Sequence, residues 1–113
     1  MAVTSIVNGS QLTVINTEHD LMAANTTSGV FVCMTDLNPM ANGDVVELRI
    51  YTRINAQTER LAYYAVYAHA QAQPNKYSVP VPSLGGATET VHYTLKQTAG
   101  SVRTFFYRVV TVG

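Results

Sequence analysis

The densest group of side chains able to do chemistry is the run Thr17-Glu18-His19-Asp20. Carboxylates and imidazoles of this kind bind metal ions or transfer protons. In a regular strand Glu18 and Asp20 lie on one face and His19 on the other, so the three cannot converge on one ion. A cation site would need further ligands, such as Asp36 or Asp44. We therefore expect a solvated strand or loop here, with no metal ion.

The other candidate catalytic residues stand apart from one another. His69 and His92 each lie among apolar, Thr or Tyr neighbours, and the sequence holds no nucleophile elbow or paired carboxylates. The Gly-Gly step at 85–86 lacks the lysine and the spacing of a phosphate loop. Cys33 is the single cysteine and lies in an apolar run, where we expect a buried, inert thiol and no intrachain disulfide. The sequence predicts a protein that is not an enzyme and uses no cofactor.

The composition limits the class of partner. A chain of 113 residues forms one domain and can bury about two-thirds of its unfolded surface. Seven basic and seven acidic residues cancel, so the positive surface of a nucleic-acid binder is missing and we expect no nucleic acid. Charged residues make up 12%, against about a quarter in ordinary domains. Either the chain hides surface in an assembly, or a small all-β domain uses Thr, Ser, Asn and Gln instead.

The charges are also unevenly placed. Residues 1–56 carry five acids and two bases, and residues 57–113 carry two acids and five bases. If strands from the two halves are interleaved, these charges form complementary cross-strand pairs. Head-to-tail contacts between copies are the alternative.

The N-terminus and the apolar runs bear on location. Met1-Ala2-Val3-Thr4 has no basic segment followed by an apolar stretch, which predicts no secretory signal. No apolar run approaches the ~18 residues of a membrane span. We expect folding in a reducing cytoplasm and no membrane partner.

The elements that must position these side chains are β-strands, and the clearest is a long hairpin. Asp44 to Ile54 and Arg60 to Ala70 are two strands joined by the polar segment 55–59. In the first strand an apolar set alternates with a polar set: Val46, Leu48, Ile50 and Ile54 against Glu47, Arg49, Tyr51 and Arg53. This period of two indicates one buried face and one polar face.

Further strands flank the hairpin. At the N-terminus we predict a second hairpin, in which Val3–Val7 turns at Asn8-Gly9 and returns as Gln11–Asn16. Gly29–Thr35 is apolar on both faces and is expected inside a sheet. The segment 36–43 is a connection with defined turns. Two more strands are predicted over Glu89–Gln97 and Val102–Val112.

The segment Tyr77–Pro82 gives a positional argument. The N–H groups of residues i and i+2 point to the same edge of a strand, and Pro80 and Pro82 both lack that hydrogen. The segment can pair fully through one side only. We predict an edge strand or an extended surface segment.

Together these segments predict one all-β domain over residues 1–113, an antiparallel β-sandwich of seven or eight strands and of the jelly-roll type. Residues 1–28 form either an N-terminal arm or a hairpin that contacts partners.

Tyrosine and arginine suit a contact surface. Tyr51 lies on the polar face of its strand beside Arg49 and Arg53, and Tyr63 and Tyr67 share a face of the next strand. Packing of these rings between the sheets is the alternative, and the absence of Trp counts against a lectin. The candidate interface residues are Val3, Ile6, Ile15, Arg49, Tyr51, Arg53, Tyr63, Tyr67, Val79, Pro80 and Pro82.

Four stretches carry a family resemblance: 29–37 (GVFVCMTDL), 42–51 (NGDVVELRIY), 62–68 (AYYAVYA), and 93–100 (YTLKQTAG) with 105–110 (FFYRVV). Together they resemble small virion proteins of tailed bacteriophages. Those proteins share a strand ending in Asp-Leu, a Gly-Asp step before a long amphipathic strand, and Leu-Lys-Gln-Thr-Ala-Gly before an aromatic closing strand. The resemblance covers residues 29–112 and is a pattern of strands and turns, so it transfers no interface residue.

The resemblance implies a capsid-associated or tail-associated structural protein, with small jelly-roll decoration (cement) proteins as the nearest functional model. We expect a non-enzymatic virion protein, made in the host cytoplasm, that assembles as a dimer or trimer against the major capsid protein or other virion proteins. A tail or head–tail component and a carbohydrate-binding β-sandwich module are the alternatives.

Overall fold

The long central hairpin is confirmed by a computed structural model, which describes residues 2–113. Its strands lie at Val45–Arg53 and Arg60–Ala68, each slightly shorter than predicted. The described residues contain nine strands: β1 Val3–Leu12, β2 Glu18–Asn25, β3 Gly29–Asp36, β4 Val45–Arg53, β5 Arg60–Ala68, β6 Asn75–Tyr77, β7 Val81–Ser83, β8 Thr90–Ala99 and β9 Thr104–Val112. The predicted count of seven or eight is too low because the proline-rich edge forms two three-residue strands.

The strands form two antiparallel sheets packed as a sandwich, as predicted. The first sheet has the order β1-β9-β3-β6, with β7 also paired to β3, and the second has the order β2-β8-β4-β5. The pairs are therefore nested along the chain: β4 with β5, β3 with β6 and β7, β2 with β8, and β1 with β9. In the described residues no helix is long and apolar enough to cross a membrane.

The core lies between the sheets and is filled by the alternate residues of the long strands. Val46 and Ile50 of β4 are almost fully buried, and Leu48 on the same face packs against the core. Ile54 is wrongly predicted to share that face: it follows the end of β4 and is 64% exposed. The buried core side chains are Leu21, Met22, Phe31, Cys33, Leu37, Met40, Val46, Ile50, Val91, Tyr93, Leu95, Phe105 and Val109.

The predicted N-terminal hairpin is wrong. Residues 3–12 form one continuous strand, in which Asn8 lies opposite Arg108 and Gly9 opposite Tyr107 of β9. An Asn-Gly turn forms only when its two flanking segments pair with each other, and here both pair with the long closing strand. The chain turns later, at Asn16, which has a φ of 65°.

Residues 3–12 and 18–25 therefore belong to the two sheets and do not project as an arm. Met1 lies outside the described residues.

The predictions for the proline edge and for the inner strand are both confirmed. β6 and β7 pair with β3 at one edge of the first sheet, and Pro82 lies opposite Val30. β3 has β9 on its other side, so it is an inner strand. Its alternate residues Phe31, Cys33 and Thr35 are buried.

Candidate functional site

The outer face of the second sheet carries a hydrogen-bonded polar network. Glu18 on β2, Tyr51 on β4 and Thr94 on β8 alternate with the core residues of their strands, so their side chains point away from the core. The Glu18 carboxylate accepts hydrogen bonds from the hydroxyls of Tyr51 (2.7 Å) and Thr94 (2.5 Å). Burial alone would raise the pKa of Glu18, but these two hydrogen bonds and the nearby Arg49 and His92 lower it below its ordinary value. Side-chain hydrogen bonds thus connect the three strands on their outer face.

A second part of this network joins β4 to β5. The Glu47 carboxylate accepts a hydrogen bond from Tyr64 (2.8 Å) and forms an ion pair with Arg49 (2.8 Å). The Arg49 guanidinium also lies over the Tyr64 ring, 4.7 Å from its centre, in a cation–π contact. The side chains of Arg49 and Glu47 are only 19% and 15% exposed. The Arg49 guanidinium is therefore engaged in contacts within its own sheet and is not available for a partner.

His92 lies between two carboxylates. Its Nε2 is 2.6 Å from Asp20 and its Nδ1 is 3.2 Å from Glu59. Because the two ring nitrogens point in opposite directions, the three groups do not converge on one ion. No group of three or more His, Cys, Asp or Glu side chains within residues 2–113 is arranged to hold a metal. Burial alone would lower the pKa of His92, but the hydrogen bonds and charges of Asp20 and Glu59 raise it above its ordinary value.

This raised pKa predicts a pH-dependent contribution to stability. The contribution is fully present below the unfolded pKa of about 6.5 and is lost as the pH rises through the folded pKa. We expect His92→Gln to remove a stabilisation of about 1 kcal/mol, measured by urea unfolding between about pH 5.5 and about pH 9. His19→Gln is the matched control, since the His19 Nε2 accepts a hydrogen bond from the Val14 N–H. If His92→Gln keeps the wild-type pH profile, the carboxylate pairing of His92 contributes nothing.

A buried polar cluster, which we call the latch, closes one end of the sandwich. The Asp44 side chain is 2% exposed, and its carboxylate lies 2.9 Å from Nε of Arg103. It also accepts hydrogen bonds from the N–H groups of Ala41 (2.9 Å) and Ser101 (3.2 Å). Burial alone would raise the pKa of Asp44, but these hydrogen bonds and the Arg103 charge outweigh it and lower the pKa. Asp44 thus ties the β3–β4 connection to the β8–β9 turn.

Gln97 extends the latch to the N-terminal strand. It is fully buried, and its amide oxygen accepts a hydrogen bond from the Thr13 hydroxyl (2.5 Å). Its amide nitrogen donates to the carbonyl oxygens of Ala99 (3.0 Å) and Ser101 (2.6 Å). The Thr13 oxygen in turn accepts a hydrogen bond from the Arg103 N–H. A buried amide with this set of partners fixes the geometry around it.

Two of the sequence motifs quoted above meet in the latch. The Gly-Asp step supplies Asp44, and Leu-Lys-Gln-Thr-Ala-Gly supplies Gln97 and Gly100. These motifs are structural: they close the end of the sandwich.

The outer face of the first sheet carries apolar side chains among polar ones, and we call it the apolar face. Its residues alternate with core residues on β1, β3 and β9. Phe106 is 64% exposed, and Tyr77 beside it is 67% exposed. An open groove of about 620 Å³ runs past both rings and also touches Arg108 and Asp36. The apolar face comprises the exposed Val3, Tyr77 and Phe106 and the half-buried Val30, Val32, Met34 and Val112, interspersed with Ser5, Ser10, Asp36 and Arg108.

The predicted interface residues fall in different places. Val3, Val79, Pro80 and Pro82 are exposed. Ile15 is half-buried, and Ile6 packs against the core. Arg49, Tyr51 and Arg53 lie on the outer face of the second sheet, half-buried in contacts with their own chain. No single surface contains the whole predicted set.

Tyr63 and Tyr67 follow the alternative given for them, packing between the sheets. Both point into the sandwich from β5 and pack against the core, and the Lys76 ammonium lies 4.9 Å from the centre of the Tyr67 ring. They line a cleft between the sheets that also reaches Tyr93 and Ser78. The volume open to the centre of a water molecule is about 20 Å³, which is room for one water and not for a ligand.

The latch and Phe106 are absent from the sequence-based predictions. The signal for Phe106 is present in the alternation of β9, where Phe105, Tyr107 and Val109 take the core face and leave Phe106 on the other. The Asp44–Arg103 pair has no local signal, because its partners are 59 positions apart in sequence.

Comparisons with known protein families, with curated proteins and with solved structures find no significant match to this chain.

Proposed function

We propose that this chain is a non-enzymatic structural protein of a bacteriophage particle, a decoration (cement) protein that binds the assembled shell. The proposal starts from the resemblance of residues 29–112 to small virion proteins. The polar network supports a non-catalytic role, since His92 uses both ring nitrogens on carboxylates of its own chain. Glu18 and Glu47 are likewise engaged within the chain.

The strand order supports the jelly-roll part of the proposal. Four nested antiparallel pairs, with the outermost joining β1 to β9 and the innermost joining β4 to β5, are what a long hairpin gives when it is rolled into a sandwich. Viral capsid domains use this architecture.

The observation that supports binding to a shell is the apolar face. Exposed aromatic side chains beside apolar ones on one face of a sheet favour a site of protein–protein contact. Phe106 and Tyr77 are aromatic residues of the kind that anchor interfaces, with Arg108 and Asp36 beside them. We assign this face to the contact with the major capsid protein. A ligand that binds the assembled shell and not its free subunits stabilises the shell by mass action.

Addition of the purified protein to particles that lack it tests this proposal. We expect wild-type protein to bind such particles and to raise the temperature at which they release their genome. Phe106→Glu replaces an exposed aromatic ring of the apolar face by a charge and should lose at least tenfold in affinity, a loss of about 1.4 kcal/mol. Val102→Glu is the control, since Val102 is 54% exposed in the β8–β9 connection. Equal binding of the two variants, or no binding of wild-type protein, would contradict the proposal.

A further inference from the structure

The two sheets end in four edges, and three of them are blunted. The edge formed by β6 and β7 is split into two short strands and carries Pro82. The β2 edge has two register shifts and the charges of Glu18 and Asp20. The β1 edge has a register shift between Ser5 and Val7 and mostly polar outward residues. Prolines, charges and bulges are the devices by which proteins prevent edge-to-edge pairing.

The fourth edge, β5, has none of these devices over most of its length. Its one register shift lies near its start, opposite Ile50 and Tyr51. From Leu61 to Ala68 the sequence LAYYAVYA contains no charge, proline or glycine. Among the described residues β5 ends the second sheet, with β4 on its one paired side. Such a segment is a template for pairing with another strand.

Exposed apolar side chains and the open cleft lie along the same edge. Leu61 (53%), Tyr64 (44%) and Val66 (49%) form an exposed apolar row on the outer side of β5. On the inner side, Tyr63 and Tyr67 border the cleft between the sheets. A partner strand beside β5 would cover both rows together.

We propose that β5 pairs antiparallel with β5 of a second copy of this chain, across a two-fold axis perpendicular to the sheet. An axis at Ala65 places Tyr64 of each copy opposite Val66 of the other on the outer face, and Tyr63 opposite Tyr67 on the inner face. Aromatic–β-branched and aromatic pairs are favourable across antiparallel strands, and no like charges meet. The same patch serves both copies, as two-fold symmetry requires. The two four-stranded sheets would then form one continuous sheet.

This dimer is independent of the proposed virion function, because it is measured on the purified protein without particles. We expect sedimentation equilibrium of wild-type protein to give a dimer mass. Tyr64→Glu and Val66→Lys should each weaken the dimer at least tenfold. Both should fold, since residue 64 lies opposite Arg49 and residue 66 lies opposite Glu47 within the same chain.

A mixture of the two variants tests the register. In the heterodimer the carboxylate introduced at position 64 of the first variant faces the ammonium introduced at position 66 of the second, so mixing should restore the dimer mass. Ser10→Lys, which adds a charge to the exposed β1 edge, is the control and should remain dimeric. The proposal is overturned if wild-type protein is monomeric, if the two single variants stay dimeric, or if Ser10→Lys dissociates the dimer as strongly. Failure of the mixture to associate would overturn the register centred on Ala65.

Discussion

Asp44→Ala is expected to destabilise the protein by about 2–4 kcal/mol, because it removes a buried acceptor from two backbone N–H groups and the partner of the 30% exposed Arg103. The Arg103 guanidinium would lose its carboxylate, and the N–H groups of Ala41 and Ser101 would lose their acceptor. A loss of this size is a large fraction of the stability of a small domain. Urea unfolding followed by circular dichroism measures it.

Asp36→Ala is the control for this variant. The Asp36 carboxylate accepts a hydrogen bond from the Asn38 N–H in an exposed turn, so the expected loss is about 1 kcal/mol or less.

The pH dependence gives an independent check. Because the folded pKa of Asp44 is lowered, its contribution is present above the ordinary pKa of about 3.9 and is lost as the pH falls through the folded value. Equal losses for the two variants would mean that the latch does not hold the sandwich together.

Gly100→Ala is expected to destabilise the protein by about 2–5 kcal/mol, the sum of a backbone and a packing contribution. Gly100 has a φ of 93°, and a side chain in this left-handed region costs about 1–2 kcal/mol. A Cβ at Gly100 would also overlap the Asp44 carboxylate and lie 2.7 Å from the Asp44 Cα. Overpacking of this kind adds about 1–3 kcal/mol. The midpoint of thermal unfolding reports the change.

Gly43→Ala distinguishes the cost of the left-handed backbone from the cost of overpacking. Gly43 has a φ of 98°, but a Cβ there meets no described atom within 4 Å. This variant should therefore lose only the backbone term of about 1–2 kcal/mol. If Gly43→Ala and Gly100→Ala are equally destabilised, the close approach of Gly100 to Asp44 has no energetic consequence.

The fold class could be predicted because the core-forming strands alternate with a period of two. Val46 and Ile50 on β4, and Val91, Tyr93 and Leu95 on β8, are apolar at alternate positions and are all buried. The edge position of the segment around residue 80 could also be predicted, because a proline has no N–H and its strand therefore cannot pair fully on that side. Such features depend on neighbours in sequence, and the structure agrees with them.

The N-terminal region and the latch could not be predicted in this way. The Asn8-Gly9 step has the local form of a hairpin turn, but the pairing of β1 with β9 joins residues about a hundred positions apart. The hydrogen bond between Gln97 and Thr13 also joins residues that are far apart in sequence. The placement of Tyr63 and Tyr67 stayed open because the sequence of β5 does not show which of its two apolar rows faces the core.

The described contacts fall into two groups, those that stabilise the sandwich and those left open for partners. The latch and the polar network hold the sandwich rigid, while the apolar face and the β5 edge remain open. These two surfaces lie on different sheets. A dimer formed through β5 would therefore leave both apolar faces free, and one dimer could contact two neighbouring shell subunits.

The copy number of this chain in purified phage particles, measured by quantitative mass spectrometry, tests the central claim most directly. A decoration protein follows the symmetry of the shell, so we predict on the order of hundreds of copies per particle. Absence of the chain from intact particles would contradict a virion role. A count of about a dozen or fewer would contradict decoration of the shell and indicate a part of the tail or of the head–tail junction.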